Sequence, residues 1–283
     1  MPAEHELGAF YESRYRDVVD PADRAPDLAR LVKTGPDAER ERAWLAHTLH
    51  ADVLAAAEAA AAEGLPRRVL DIGAGTGDLV LAFDRAGWDA IGIDPAAGLA
   101  DAAHGSRVRI EGISAMAFVG RWRARRDRAF SAITLMNVLE HVPQPAAFIE
   151  AILEALLPGG RLIVRVPNDF SPLQEAARSA LERDPWWIVI PDHVNYFDHA
   201  TIAALLVALG LEIVDQSADY PMELFLLGGE DYTSDPAVGA RVHERRRRME
   251  LAMPAGIRRQ LGRAWAATGI GRNAFVVARR PAP

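Results

Sequence analysis

The chain of 283 residues has no cysteine, which removes disulfides, thiolate nucleophiles and cysteine-based metal sites. It has one lysine, Lys33, against abundant arginine and alanine, a bias expected of a GC-rich bacterial genome. No apolar run approaches the ~18 residues of a membrane span. The N-terminal MPAEHELGAF lacks the basic and apolar regions of a secretory signal, so a soluble, cytoplasmic protein is expected. Positive charge is not in excess: 32 Lys and Arg face 39 Asp and Glu, a formal charge of −7. That balance argues against nucleic-acid binding, which phosphate contacts dominate. Two basic runs, Arg121 to Arg128 and Arg245 to Arg248, are expected to be solvated helix faces. What remains is 50% hydrophobic and 25% charged, the composition of an ordinary globular domain.

The most informative run is Val69-Leu70-Asp71-Ile72-Gly73-Ala74-Gly75-Thr76-Gly77-Asp78-Leu79. An apolar strand ends in an acid, three glycines follow at a spacing of two, and an apolar helix begins. A chain does this where a buried parallel strand turns sharply into a helix and a ligand approaches bare backbone. Dinucleotide sites use G-x-G-x-x-G, which would want glycine at 78. Asp78 stands there instead, and its charge would repel a pyrophosphate. An NAD(P) oxidoreductase is therefore disfavoured, while Asp71 suits a ligand with a positive ammonium.

Downstream, Asp89-Ala90-Ile91-Gly92-Ile93-Asp94-Pro95 is a short strand ending in an acid, 17 residues after Gly77. Asp94 is expected beside the glycine loop, where its carboxylate can accept from both hydroxyls of a ribose. With Pro95 at a first-turn position it can also cap a helix. A third block, Phe130 to Pro167, reads FSAITLMNVLEHVPQPAAFIEAILEALLPGGRLIVRVP. It predicts strand, loop, amphipathic helix with Phe148, Ile152 and Leu156 on one face, a Pro-Gly-Gly turn, and strand. The three blocks together, in this order over residues 67–167, resemble the class I S-adenosylmethionine (AdoMet) methyltransferases. The third block closely resembles the group that includes the ubiquinone-pathway O-methyltransferases.

Strands are expected near 67–72, 89–94, 107–111, 130–136, 161–166, 211–217 and 273–279, with helices between them. This is an α/β, doubly wound, Rossmann-like sheet, and the resemblance implies the order 3-2-1-4-5-7-6 with the last strand antiparallel. Residues 1–66 are expected to form an N-terminal helical cap, with one helix over Glu39 to Glu63 ending at Gly64-Leu65-Pro66. The core spans 67–218 with an insertion at 168–197. A second insertion, 219–272, is expected to carry helices near 236–252 and 255–267 and to form a substrate lid. Residues 273–283 supply the last strand and tail. Connections this long usually carry function or structure of their own.

The resemblance assigns Asp71 and Gly73 to the methionine end of AdoMet, Gly75 and Gly77 to clearance, Asp94 and Pro95 to the ribose region, and the backbone of Asn137 to the ammonium. At the adenine end the family usually carries Gly-Asp-Ala; this chain has Gly112-Ile113-Ser114, so Ile113 and Ser114 stand where a carboxylate is absent. Tyr11 and Tyr15, one helical turn apart, resemble a lid over the cofactor. Two histidines compete as the base: His141 in Glu140-His141-Val142-Pro143, and His193 in the aromatic segment Trp186 to Phe197. Trp187, Asn195, Tyr196, Tyr220 and Glu223 are the candidate acceptor-binding residues. Methyl transfer needs no metal, and none is expected. The implied activity is methyl transfer to an oxygen, or a nitrogen, of a small-molecule acceptor by in-line displacement with a histidine-assisted deprotonation. The open alternatives are an RNA or protein methyltransferase and a non-catalytic AdoMet-binding partner subunit. No nucleic-acid or membrane partner is expected, and a homodimer stays open.

Overall fold

A computed structural model describes residues 30–31, 35–96, 108–125, 129–190 and 192–282. Tyr11 and Tyr15 lie outside the described residues. Seven strands form one sheet in the order β3-β2-β1-β4-β5-β7-β6, as the sequence implied. They are β1 (Arg68–Ile72), β2 (Asp89–Ile93), β3 (Ile110–Glu111), β4 (Phe130–Met136), β5 (Leu156–Pro167), β6 (Glu212–Ala218) and β7 (Asn273–Arg279). β1 pairs in parallel with β2 and β4, and β2 with β3. The β5–β7 pairing is antiparallel: Asn168 bonds to Arg272 while Gly159 and Gly160 bond to Arg280, so the numbers run in opposite directions. β4 and β7 are buried at six consecutive positions each, which requires cover on both faces.

The chain divides into two compact units. One runs through Met136 and adds Pro143–Ile163 and the segment from Arg279; the other comprises Asn137–Val142 and Val164–Ala278. In the first unit lie α1 (Pro36–His47), α2 (Leu49–Ala62), α3 (Asp78–Arg85), α4 (Ala115–Arg125) and α5 (Pro145–Leu153). In the second lie α6 (Pro172–Ala180), α7 (His199–Ala208), α8 (Glu223–Leu227), α9 (Pro236–Ala252) and α10 (Ala255–Ala267).

Four local expectations are corrected. The single helix over 39–63 is two helices, broken at Thr48, whose hydroxyl donates to the Trp44 carbonyl at 2.8 Å. A side chain that bonds back four residues competes with the helix and bends it. The Pro-Gly-Gly turn is not a turn but part of β5, with Leu156 in the strand rather than the helix. Gly159, at φ 80, and Gly160 together oppose Arg280, so an extra residue is absorbed as a glycine bulge. The second insertion holds a third helix, α8. Finally, Arg246 and Arg247 are buried rather than solvated. Arg246 pairs with Asp219 at 3.2 Å and with Glu250 at 3.2 Å, and Arg247 pairs with Glu244. Opposite charges at three or four residues along α9, together with the half-buried Asp219, allow guanidinium groups to leave water.

Candidate functional site

The loop between β1 and α3 is held in a conformation that glycine alone adopts readily. Gly73, Gly75 and Gly77 have φ of 76°, 51° and 77°. The Gly73 and Ala74 N–H groups donate to the Ile93 carbonyl, tying the loop to the end of β2. Asp94 completes the tie: one carboxylate oxygen accepts from Gly75 N–H at 2.9 Å, the other from Ala96 N–H at 2.7 Å. Its carboxyl is buried, and burial raises it above its ordinary value against the opposing pull of those two donors. Each oxygen keeps a second lone pair, so the group that anchors the loop is also able to accept from a diol. Pro95, exposed, follows it.

Asp71 lies deep in β1 opposite Thr134 of β4. The Thr134 hydroxyl donates to it at 2.6 Å. Burial, with a lesser push from Asp94 and against the Thr134 bond, raises the carboxyl to about 7. A buried carboxylate with so little compensation calls for a cation, and an ammonium ligand fits that need. Asp78 is already matched, by Arg42 of α1 at 3.1 Å and Thr76 at 2.6 Å. After β3, Ile113 N–H bonds to the Glu111 carbonyl, and the exposed Ser114 hydroxyl accepts from Ala117 N–H, which makes it the cap of α4.

In the second unit, Asn137 adopts a left-handed φ of 58° as the chain leaves β4. Its N–H donates to Arg165 at 2.8 Å, and its side chain links the Arg165 guanidinium to Glu140. Glu140 is 1% exposed, and its Oε2 has no hydrogen-bond partner. Its carbonyl accepts from the N–H groups of Val194 and Asn195. The Asn195 amide donates to the carbonyls of Val142 at 2.5 Å and Leu139 at 3.3 Å. These bonds bring the Leu139–His141 turn against residues 192–196, so the two candidate histidines meet. Their rings are edge to face with centroids 5.0 Å apart. His141 Nδ1 lies 2.9 Å from the Asp192 carbonyl oxygen. His193 Nδ1 is buried without a partner, and burial followed by His141 lowers it to about 4, so the ring is neutral in ordinary buffers.

Tyr196 and Trp187 belong to the same cluster. Phe170, at φ 56°, stands edge to face with both, at 5.7 Å from Trp187 and 6.1 Å from Tyr196. Tyr220 packs against a separate cluster of Met222, Phe225 and Val242, and Glu223 is buried with Oε2 unpartnered.

Several residues escaped the sequence reading. Thr134 is hidden in an apolar strand, though a lone hydroxyl there is a signal. Gly92 passes as ordinary strand, yet a Cβ on it would lie 2.8–2.9 Å from Ala74, Val80 and Ile110. Asp169 follows β5, buried, with Oδ2 unpartnered; burial and then Glu140 raise it to about 7. Nothing in its local sequence marked it.

A sheet of this order, with a buried acid in β1 and a glycine loop tied to the acid that follows β2, defines the class I AdoMet-dependent methyltransferases. Comparison with known proteins agrees. Residues 39–216, well over half of the chain, match the family described as "Methyltransferase domain", and the chain belongs to that family. It is 40% identical over 103 residues to the ubiquinone biosynthesis O-methyltransferase of Xylella fastidiosa (strain 9a5c), covering 36% of this chain and 42% of that protein. The counterpart from Xanthomonas oryzae pv. oryzae (strain PXO99A) is 37% identical over 103 residues, 36% of this chain and 43% of that one. The match thus spans about two fifths of the length of these curated relatives. In fold, the chain is similar to the 1,6-didemethyltoxoflavin-N1-methyltransferase of Burkholderia thailandensis (TM-score 0.52, 18% identity, 100% of this chain and 92% of that one). It is also similar to the plantazolicin methyltransferase (TM-score 0.53, 13% identity, 98% of each chain). No helix among the described residues is long and apolar enough to cross a membrane.

Proposed function

We propose that the chain transfers a methyl group from AdoMet to an oxygen of a small-molecule acceptor. The observation that carries this reading is the cradle of Asp71, the three left-handed glycines and the Gly75-bonded Asp94. AdoMet, when bound, supplies an electrophilic methyl on a sulfonium. Asp71 would face its ammonium, Asp94 its ribose, and Ile113 its adenine. The chain's task is then to orient the acceptor and remove its proton.

For that task the His141–His193 pair is the best equipped. His193 Nδ1 has no protein partner, and Tyr196 and Trp187 offer donors to orient a polar acceptor. Tyr220 and Glu223 belong to the helical insertion 219–272, which we assign to acceptor selection as a lid. The acidic balance favours a small acceptor over RNA.

Calorimetry with S-adenosylhomocysteine tests the reading. The parent should bind, and Asp94→Asn should weaken binding at least tenfold. Transfer of labelled methyl to a panel of hydroxylated small molecules should then fall in His193→Gln with the cofactor affinity unchanged. Absence of binding to the parent would sink the proposal.

A further inference from the structure

Buried polar atoms without partners are rare in a folded protein, and each calls for an explanation. Three neighbouring segments of the second unit hold four: Glu140 Oε2, Asp169 Oδ2, Asp192 Oδ1 and His193 Nδ1. Three of the four are carboxylate oxygens, and Asp169 lies within electrostatic reach of Glu140. Like charges crowded out of water are unfavourable unless a cation joins them.

The geometry supplies a place for one. Glu140, His141 and His193 each offer a ligand atom, and these atoms lie within 4.8 Å of one another. Metal–ligand distances of ~2.0–2.2 Å bring such atoms onto one ion with modest side-chain rotation. His141 also carries the outer contact usual for a metal-bound imidazole, since its Nδ1 meets a backbone carbonyl, that of Asp192. The Asn137 amide holds Glu140 Oε1 at 3.0 Å, which leaves the buried Oε2 without a partner.

We infer that Glu140, His141 and His193 form a binding site for a divalent transition-metal ion. Two imidazoles and one carboxylate select an ion of the Zn2+ or Fe2+ kind over Mg2+ or Ca2+, which prefer oxygen ligands. Three protein ligands leave a coordination position open, and an acceptor oxygen fits it. The sequence reading expected no metal, and an ion here, acting on the acceptor, would depart from that expectation. The use of the site rests on the methyltransferase reading, but ion binding does not. With the ion bound, the histidine lone pairs are committed to it. Held there, such an ion would lower the pKa of a coordinated acceptor hydroxyl, whose proton would pass to solvent rather than to a free imidazole.

The test uses the full, untagged chain stripped with chelator and titrated with Zn2+ against a chromophoric competitor. One equivalent should bind. Glu140→Gln and His193→Gln should each weaken it at least tenfold, while His199→Gln, at a buried histidine of α7, should leave it unchanged. Equal affinity in the parent and both ligand variants would overturn the inference. So would failure of the parent to bind. Should the variants not fold, X-ray absorption on the Zn-loaded parent decides: two imidazole nitrogens support the site, and one or none refutes it. S-adenosylhomocysteine binding, measured separately, reports on the methyltransferase reading alone.

Discussion

Replacing Thr134 by valine keeps the volume of a buried strand residue and removes one hydroxyl. That hydroxyl is the side-chain donor to Asp71, at 2.6 Å, in a strand pair where both residues are buried. A hydrogen bond to a charged group contributes about 1.5–3 kcal/mol. At 1.36 kcal/mol per pKa unit, its loss should raise the Asp71 carboxyl by about one to two units. The carboxyl already stands at about 7, with burial and the neighbouring Asp94 pushing it up. At pH 7.5 the parent is mostly charged, whereas the variant should be charged in roughly one molecule in ten. If Asp71 meets the ammonium of the cofactor, the variant should bind S-adenosylhomocysteine about tenfold more weakly at pH 7.5. The deficit should shrink as the pH is raised toward 9.

The sign for stability runs the other way. An acid whose folded value lies above its unfolded value makes the ligand-free fold prefer the protonated form. Asp71 should therefore favour the ligand-free protein at low pH, and that contribution should fade as pH rises from about 4 through about 7. Calorimetric titrations between pH 6 and 9, on parent and variant, read the binding half. The parent should gain affinity as pH rises through 7 and then level off. A Thr134→Val protein with parental affinity at every pH would refute the assignment of Asp71 to the ammonium.

Three further perturbations test other parts of the structure. Gly92→Ala puts a methyl group 2.8–2.9 Å from three side chains at the back of the glycine loop, and overpacking of this kind costs about 1–3 kcal/mol; a lower thermal midpoint is expected, and an unchanged one would deny the close approach. Asp219→Asn removes the charge that meets Arg165 at 2.9 Å and Arg246 at 3.2 Å. Those cations hold the carboxyl well below the usual range, and the pairs are half-buried, so the loss should reach about 1.5–3 kcal/mol in urea unfolding at neutral pH, and a loss under about 0.5 kcal/mol would show the pairs to be dispensable. Asn195→Ala frees the carbonyls of Leu139 and Val142; methyl transfer should fall more than tenfold with S-adenosylhomocysteine affinity intact, and a parallel fall in both would mean that the turn serves the cofactor instead.

The strands and the glycine loop were legible because both depend on short local patterns, apolar runs buried on two faces and glycines where φ must be positive, while the strand order came from the family resemblance. β7 and helices α9 and α10 fall on the expected residues for the same reason. What escaped was set by pairing between distant residues. The bulge at Gly159 exists because Arg280 lies across from it, and no window around Pro158-Gly159-Gly160 reveals that neighbour. The burial of Arg246 depends on Asp219, which is 27 residues away. The candidate site divides along the same line. Asp71 and Asp94 announced themselves by standing at strand ends, but Thr134, Asp169 and the meeting of His141 with His193 come from register and from the bonds of Glu140 and Asn195. The two histidines were read as rivals because they are 52 residues apart in the chain. In the structure they are one cluster, so the question of which is the base gives way to what the pair holds between them. Substituting one of them alone therefore perturbs the other, and only a double-substitution comparison, with the effects of His141→Gln and His193→Gln failing to add, reports the cluster as a unit.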